Sequence, residues 1–220
     1  MTRLIDPSLQ KLSHIMSEMG DMVVESITLA VDSYLEGKNT TQQVLDLSDS
    51  IREKYFEVED LTFDMLLKYQ PVADDFRFIR SSTEISYAFS RFGRYAYDIT
   101  LVRDSFGDIS ECINASLVES SKKVKHMIRE AVLSFAELDV RKAVKIREDE
   151  AFIDKIYKER LPKLIKSNNT KCALAEALVL RYLERIGDHA VFMTDAINYI
   201  VTGKHRPSEE RIASHTKLKN

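Results

Sequence analysis

Apolar residues return every three or four positions along most of this chain, the period of an α-helix with one buried face. Six such stretches stand out, over 8–36, 41–69, 72–104, 110–137, 139–166 and 170–202. The interruptions between them are turn and cap signals. Gly37 follows the first stretch as a C-cap, and Pro71 stands at the start of the third, where its missing N–H does no harm. Gly107, within DSFGDIS, is the joint between two halves, SNNT offers Asn169 or Thr170 as an N-cap, and Gly203 closes the last stretch. A helix of about 30 residues runs roughly 45 Å and gains stability chiefly by packing lengthwise on others. The pattern predicts an all-α fold with elongated bundles.

The two halves repeat one another. SRFGRYAYDI at 90–99 aligns with ERIGDHAVFM at 184–193, keeping Arg91/Arg185, Gly93/Gly187 and Ala96/Ala190. Upstream, DSIRE at 49–53 aligns with EAFID at 150–154, each an acidic pair four residues apart. The expected organisation is six long helices in two tandem, pseudo-symmetric three-helix bundles, 8–106 and 107–204, with a polar tail over 205–220.

The sixth stretch holds the pattern that calls for explanation. Its apolar side carries Leu178, Val179, Tyr182, Leu183, Ile186, Met193, Ile197 and Ile200, whereas Glu184, Asp188 and Asp195 fall within about 40° of one another on the opposite side. Like charges four apart repel, and the intervening Gly187 costs about 1 kcal/mol relative to Ala. Spacing alone favours a solvated face, Arg181 reaching Glu184 and Arg185 reaching Asp188. The functional alternative is an oxygen-ligand metal site, with Glu150 and Asp154 on the fifth stretch completing the cradle. Such a donor set suits magnesium or manganese, with iron also possible; a structural zinc site is not expected. Gly187 would then let a neighbouring helix approach closely.

The other residues narrow the choice. A net charge of −3 gives no overall attraction to nucleic acid or an anionic membrane. No stretch approaches the length of a membrane span, and MTRLIDPSLQ lacks a signal-peptide core. Cys112 and Cys172 lack metal-binding spacing and read as reduced, packed thiols of a cytoplasmic protein, not as a disulfide. His189 reads as a packed, hydrogen-bonded histidine rather than a ligand; His14, His126, His205 and His215 form no cluster. A di-metal carboxylate enzyme would call for Glu-x-x-His pairs, and neither Glu148 nor Glu150 has a histidine three residues on.

RYLERIGDHA followed by INYIVTGK resembles the signature of the PhoU phosphate-signalling regulators, and PVADDFRFIRSSTEISYAFSRFGRYA is similar to that family's first copy of the element. The resemblance implies two three-helix bundles whose acidic pairs hold an iron, zinc or manganese cluster. It implies no known reaction. The implied role is to damp phosphate uptake and the starvation response, working with the ATPase subunit of a phosphate ABC transporter or with a sensor histidine kinase. Such a protein would meet the membrane only through its partners, and exposed faces of long helices leave room for a homodimer. Carried over by position, the metal residues are Glu150, Asp154, Glu184 and Asp188, with Asp49 and Glu53 as a second-rank pair. The first half departs from the pattern: Ser90 and Arg94 stand where the second half has Glu184 and Asp188, and Arg94 is expected to replace a metal by pairing with Asp49 or Glu53. Phe192 also takes the place of the motif's usual Asn. A metal-free accessory scaffold and a carboxylate-bridged metalloenzyme are the alternatives.

Overall fold

The computed structural model describes residues 3–205. Six α-helices follow one another, α1 (Asp6–Glu36), α2 (Thr41–Tyr69), α3 (Ala73–Phe106), α4 (Ala115–Glu137), α5 (Lys142–Leu164) and α6 (Thr170–Thr202), with a 3-10 turn at Ser110–Cys112 and no strand among the described residues. The expected all-α architecture is present: α1, α2 and α3 pack mutually, as do α4, α5 and α6, and the halves join where α3 meets α6 and α1 meets α4. Beyond His205 the assigned tail, with His215, lies outside the described residues.

The boundaries follow from local chemistry. Gly37 ends α1 in the left-handed region at φ 80°, its N–H bonding Ser33 O. Asn114 caps α4 by accepting from the Leu117 N–H, and Asn169 caps α6 by accepting from the Cys172 N–H. The cap at Asn114 explains why the helix expected from 110 starts at Ala115 instead. Pro71 lies in the connection ahead of α3 rather than in its first turn, because Val72 is extended before the helix begins at Ala73.

α3 and α6 run antiparallel along the seam between the halves. Arg77 near the start of α3 donates from Nε to the Ile200 carbonyl near the end of α6, at 3.0 Å. Further along, the Tyr95 and Tyr182 rings stack at 6.3 Å. Core residues line the bundle lengthwise, among them Leu12, Met19, Val23 and Ile27 of α1, Ile85, Phe89 and Phe92 of α3, and Val179, Leu183 and Ile186 of α6. Leu178, placed on the apolar side by periodicity, is 39% exposed because it lies at the stripe's edge.

One expectation is overturned outright. Cys112 and Cys172 are joined, Sγ to Sγ at 2.09 Å with their Cα atoms 4.9 Å apart. The first turn of α6 packs on the 3-10 turn, so two cysteines 60 residues apart in sequence become neighbours. The absence of a spaced motif could not reveal that.

Two glycines mark equivalent points of the halves and differ in tightness. A Cβ at Gly93 would lie 3.3 Å from the Ser48 Cα and 3.2 Å from Ile51 Cδ1, so the α2 backbone would have to move. At Gly187 it would lie 3.4 Å from Glu150 Cγ, an ordinary contact. Since Ala gains about 1 kcal/mol of helix propensity over Gly and overpacking costs about 1–3 kcal/mol, Gly187→Ala should raise the melting temperature and Gly93→Ala should lower it. Thermal unfolding followed by circular dichroism checks the order.

A second expectation concerns Glu176, buried at 3% exposure. Arg160 holds it through two guanidinium bonds, and Asn114 Nδ2 donates to Oε2 at 2.7 Å. Arg160→Leu should destabilise by about 3–5 kcal/mol, the cost of a buried charge deprived of its partner; denaturant titration measures it, and Arg160→Leu with Glu176→Leu should recover most of the loss.

Candidate functional site

α5 and α6 lie side by side, and each turns two acids toward the other. Glu150 and Asp154 stand one turn apart on α5, and Glu184 and Asp188 one turn apart on α6. Gly187 lies under the aliphatic stem of Glu150, and its bare α-carbon leaves room for that stem. The expected close approach of helices at Gly187 is therefore a close approach of one side chain.

The four carboxyls are near enough to act on one another. Burial, followed by the charges of Asp188, Asp154 and Glu184, pushes the Glu150 carboxyl up to about 7. Burial and then Asp188 also raise Glu184, with Arg181 and Arg185 opposing. The side chains of Glu184 and Asp154 keep only 12% and 16% of their exposure. Glu184 is thus not on the solvated face that the helical wheel suggested, whereas Asp188, at 39% side-chain exposure, stays open to water. A wheel locates the apolar stripe of one helix, but not a neighbour that lays its own acids over the polar side.

Both ion pairs expected from spacing also form. Arg181 Nη1 donates to the two Glu184 oxygens at 2.7 and 2.6 Å, and Arg185 Nη1 lies 4.0 Å from Asp188 Oδ2. Lys158 Nζ donates to Asp154 Oδ2 at 2.6 Å. Among the described residues, no ion pair reaches Glu150. The quartet is a loose array: among the described residues, the one trio of ligand-type atoms all within 4.8 Å of one another is Glu111 with Cys112 and Cys172, whose sulfurs are already bonded to each other. The donor chemistry of the quartet nonetheless fits a hard cation, since it is all carboxylate oxygen and its least compensated member is buried among three others.

The histidines stay outside this array. His189 packs on α6 against the rings of Tyr87, Phe92 and Tyr95, at 6.3, 6.2 and 5.9 Å, and burial with Arg91 and Arg185 pulls its pKa down to about 4. The packing is as expected, whereas the hydrogen bond expected with it is not formed among the described residues. His126 has a role that sequence reasoning missed. Its Nδ1 lies 3.1 Å from Asp149 Oδ2, beside the Lys123 ammonium at 2.8 Å from Oδ1, so both compensate a buried acid.

In the first half, Asp49, Ser90 and Arg94 share one cleft, but Arg94 does not pair with Asp49 or Glu53 as expected. Its Nη2 lies 3.1 Å from Asp98 Oδ1, and its guanidinium sits over the Tyr97 ring at 5.6 Å. Asp98 is one turn away on the same helix and largely buried, so it needs a cation and offers a partner that costs little ordering. The four-residue spacing was the signal.

The model of one family, described as the PhoU domain, matches residues 16–101 and again 117–197. The chain belongs to the PhoU family. The double match places one PhoU domain in each half of this PhoU-family chain, in line with the repeated motif. The chain is 26% identical over 213 residues to a phosphate-specific transport system accessory protein PhoU homolog of Clostridium acetobutylicum, covering 93% of this chain and 97% of the relative. It is 28% identical to a PhoU homolog 1 of Thermotoga maritima, with 86% and 85% covered. Its fold is that of the PhoU crystal structure from Pseudomonas aeruginosa, at a TM-score of 0.85 and 24% identity over 91% of this chain and all (100%) of that one. The Streptococcus pneumoniae phosphate transport system regulatory protein PhoU superposes with a TM-score of 0.81 at 18% identity, covering 92% of this chain and 99% of that one.

Glu150 gives this PhoU-family chain a pH signature. Its folded carboxyl titrates at about 7 against an ordinary 4.5, so between these values the folded state binds more protons than the unfolded state. Stability of chelator-treated protein should therefore fall as pH rises from 5 to 8, with a slope of at most about 1.4 kcal/mol per pH unit from this group. Glu150→Gln should flatten that decline, as read by urea unfolding at several pH values.

Proposed function

We propose that this chain is a metal-binding accessory regulator of phosphate transport that works by contact with other proteins. The metal part rests on one observation, a half-buried Glu150 that meets three further carboxylates and no ion-pair partner among the described residues. A cation offsets that repulsion, and a carboxyl left without a partner beside other acids has no structural benefit of its own. Glu150, Asp154, Glu184 and Asp188 would hold an iron, zinc or manganese ion, with the all-oxygen set favouring manganese or iron. The ion would supply positive charge, bracing α5 against α6. The phosphate part rests on membership of the PhoU family and on relatives that carry the name of phosphate-specific transport accessory protein. Among the described residues no helix is long and apolar enough to cross a membrane, so association with a transporter would run through its ATPase subunit or through a sensor kinase.

A metal-free scaffold is the second reading, supported by Lys158, Arg181 and Arg185, which already stand beside Asp154, Glu184 and Asp188, three of the four acids. Elemental analysis of protein purified without chelator separates the two. We expect bound metal in the wild type and its loss in Glu184→Ala with Asp188→Ala, with helical circular dichroism unchanged. Wild-type protein without metal, even after manganese or ferrous iron is supplied, would overturn the metal assignment. Co-purification with a transporter ATPase subunit or a sensor kinase, at low and at high phosphate, tests the partner assignment separately.

A further inference from the structure

The positions that carry acids in the second half frame a site of opposite charge in the first. Between α2 and α3 lies a cleft of about 360 Å³, lined by Arg52 from α2 and by Arg91 and Arg94 from α3. The one carboxylate lining it is Asp49, so the charged lining sums to +2, three guanidinium groups less one carboxylate. Ser90 and Ser48 add hydroxyl groups, and the aromatic rings of Tyr87 and Phe56, 47% and 49% exposed, form part of the wall.

This lining is positioned in advance. Arg91 Nη2 donates to the Tyr95 hydroxyl at 2.9 Å while its guanidinium lies 4.8 Å over that ring. Arg94 is steadied by Asp98 at 3.1 Å, and Arg52 sits over the Phe56 ring at 5.7 Å. Each guanidinium has five N–H donors, and these anchors use one Nη2 on Arg91 and one on Arg94. Arginine cannot shed its charge at ordinary pH, so a metal cation is repelled where the other half gathers carboxylates. Planar guanidinium forks match the oxygens of a phosphoryl group, and two of the three, Arg52 and Arg91, form no ion pair with a carboxylate among the described residues, while Arg94 shares its charge with Asp98. The volume falls in the range of small-molecule sites, roughly 300–1,000 Å³, and exceeds the needs of a lone tetrahedral ion.

We infer that the α2–α3 cleft binds a small phosphoryl dianion, with its oxygens on Arg91 and Arg94 and any organic moiety against Tyr87 and Phe56; the Ser90 hydroxyl is already committed to the Tyr87 carbonyl at 2.8 Å. One chain then pairs a cation site in its second half with an anion site at the equivalent place in its first. The anion site stands independently of the metal assignment, because none of the metal candidates in the second half lines the cleft.

Isothermal titration calorimetry on the chelator-treated full chain provides the test, using inorganic phosphate, adenosine monophosphate, and adenosine as the uncharged control. Saturable binding of about one phosphoryl ligand per chain is expected, with none for adenosine. Tighter binding of adenosine monophosphate than of phosphate assigns the site to a phosphate ester, and equal or weaker binding assigns it to phosphate itself. Arg94→Gln should weaken binding about tenfold or more and Arg94→Lys by less, since the charge persists without the fork. Lys11→Gln removes a positive charge outside the cleft and should leave affinity unchanged. Melting curves establish that each variant is folded. The inference is overturned if neither phosphate nor adenosine monophosphate saturates the wild type. It is also overturned if Arg94→Gln binds as tightly as wild type, or if Lys11→Gln loses as much affinity as Arg94→Gln.

Discussion

The structure depends on the burial of α3 and α6 against two sets of neighbours at once. Each packs within its own three-helix bundle and also against the other along the seam. A helix covered in this way has little room for long polar side chains. On α3 the buried polar residues are Ser81, Ser82, Ser86 and Thr100, all short, and on α6 they are Thr194 and, near the helix start, Glu176, which needs Arg160 and Asn114 to hold it. Most of the hydroxyls turn back on their own helix, as Ser86 does to the Thr83 carbonyl and Thr194 to the Val191 carbonyl. Larger polar groups survive only at the margins, where α2 and α5 flank the seam. The two candidate sites lie there, one in each half.

Against that background the treatment of buried acids is informative. Glu176 is met by Arg160 and Asn114, and Asp149 by Lys123 and His126, each with direct hydrogen bonds. These pairings follow the usual requirement that an ionised group taken from water be matched by a partner. Glu150 breaks the rule in the same half of the same chain. Burial first, and then its acidic neighbours, push its carboxyl up to about 7. An unmet requirement beside two well-met ones is the physical basis for reading the quartet as a place for an external cation.

The helices, their tandem repeat and the acidic pairs were legible because each is written in short-range spacing. The 3.6-residue period, caps such as Asn169 and the four-residue acidic intervals all lie within one or two turns of chain. What escaped was set by neighbours distant in sequence. Periodicity placed Glu184 on an open face, whereas its side chain keeps only 12% exposure in the folded bundle. Arg94 was assigned a partner across the helix pair, whereas Asp98 competes for it from one turn away. Cys112 and Cys172 carried no motif at all. Their proximity exists only because the 3-10 turn meets the first turn of α6.

That bond also has a topological consequence. It closes a covalent ring that begins just before α4 and ends in the first turn of α6, so that α4, α5 and the tight connection between them all lie inside the loop. A peptide bond cut at that connection, around 138–141, would not divide the molecule. Both fragments would stay tethered through the sulfurs, and the second bundle would behave as a nicked ring until a reductant released it.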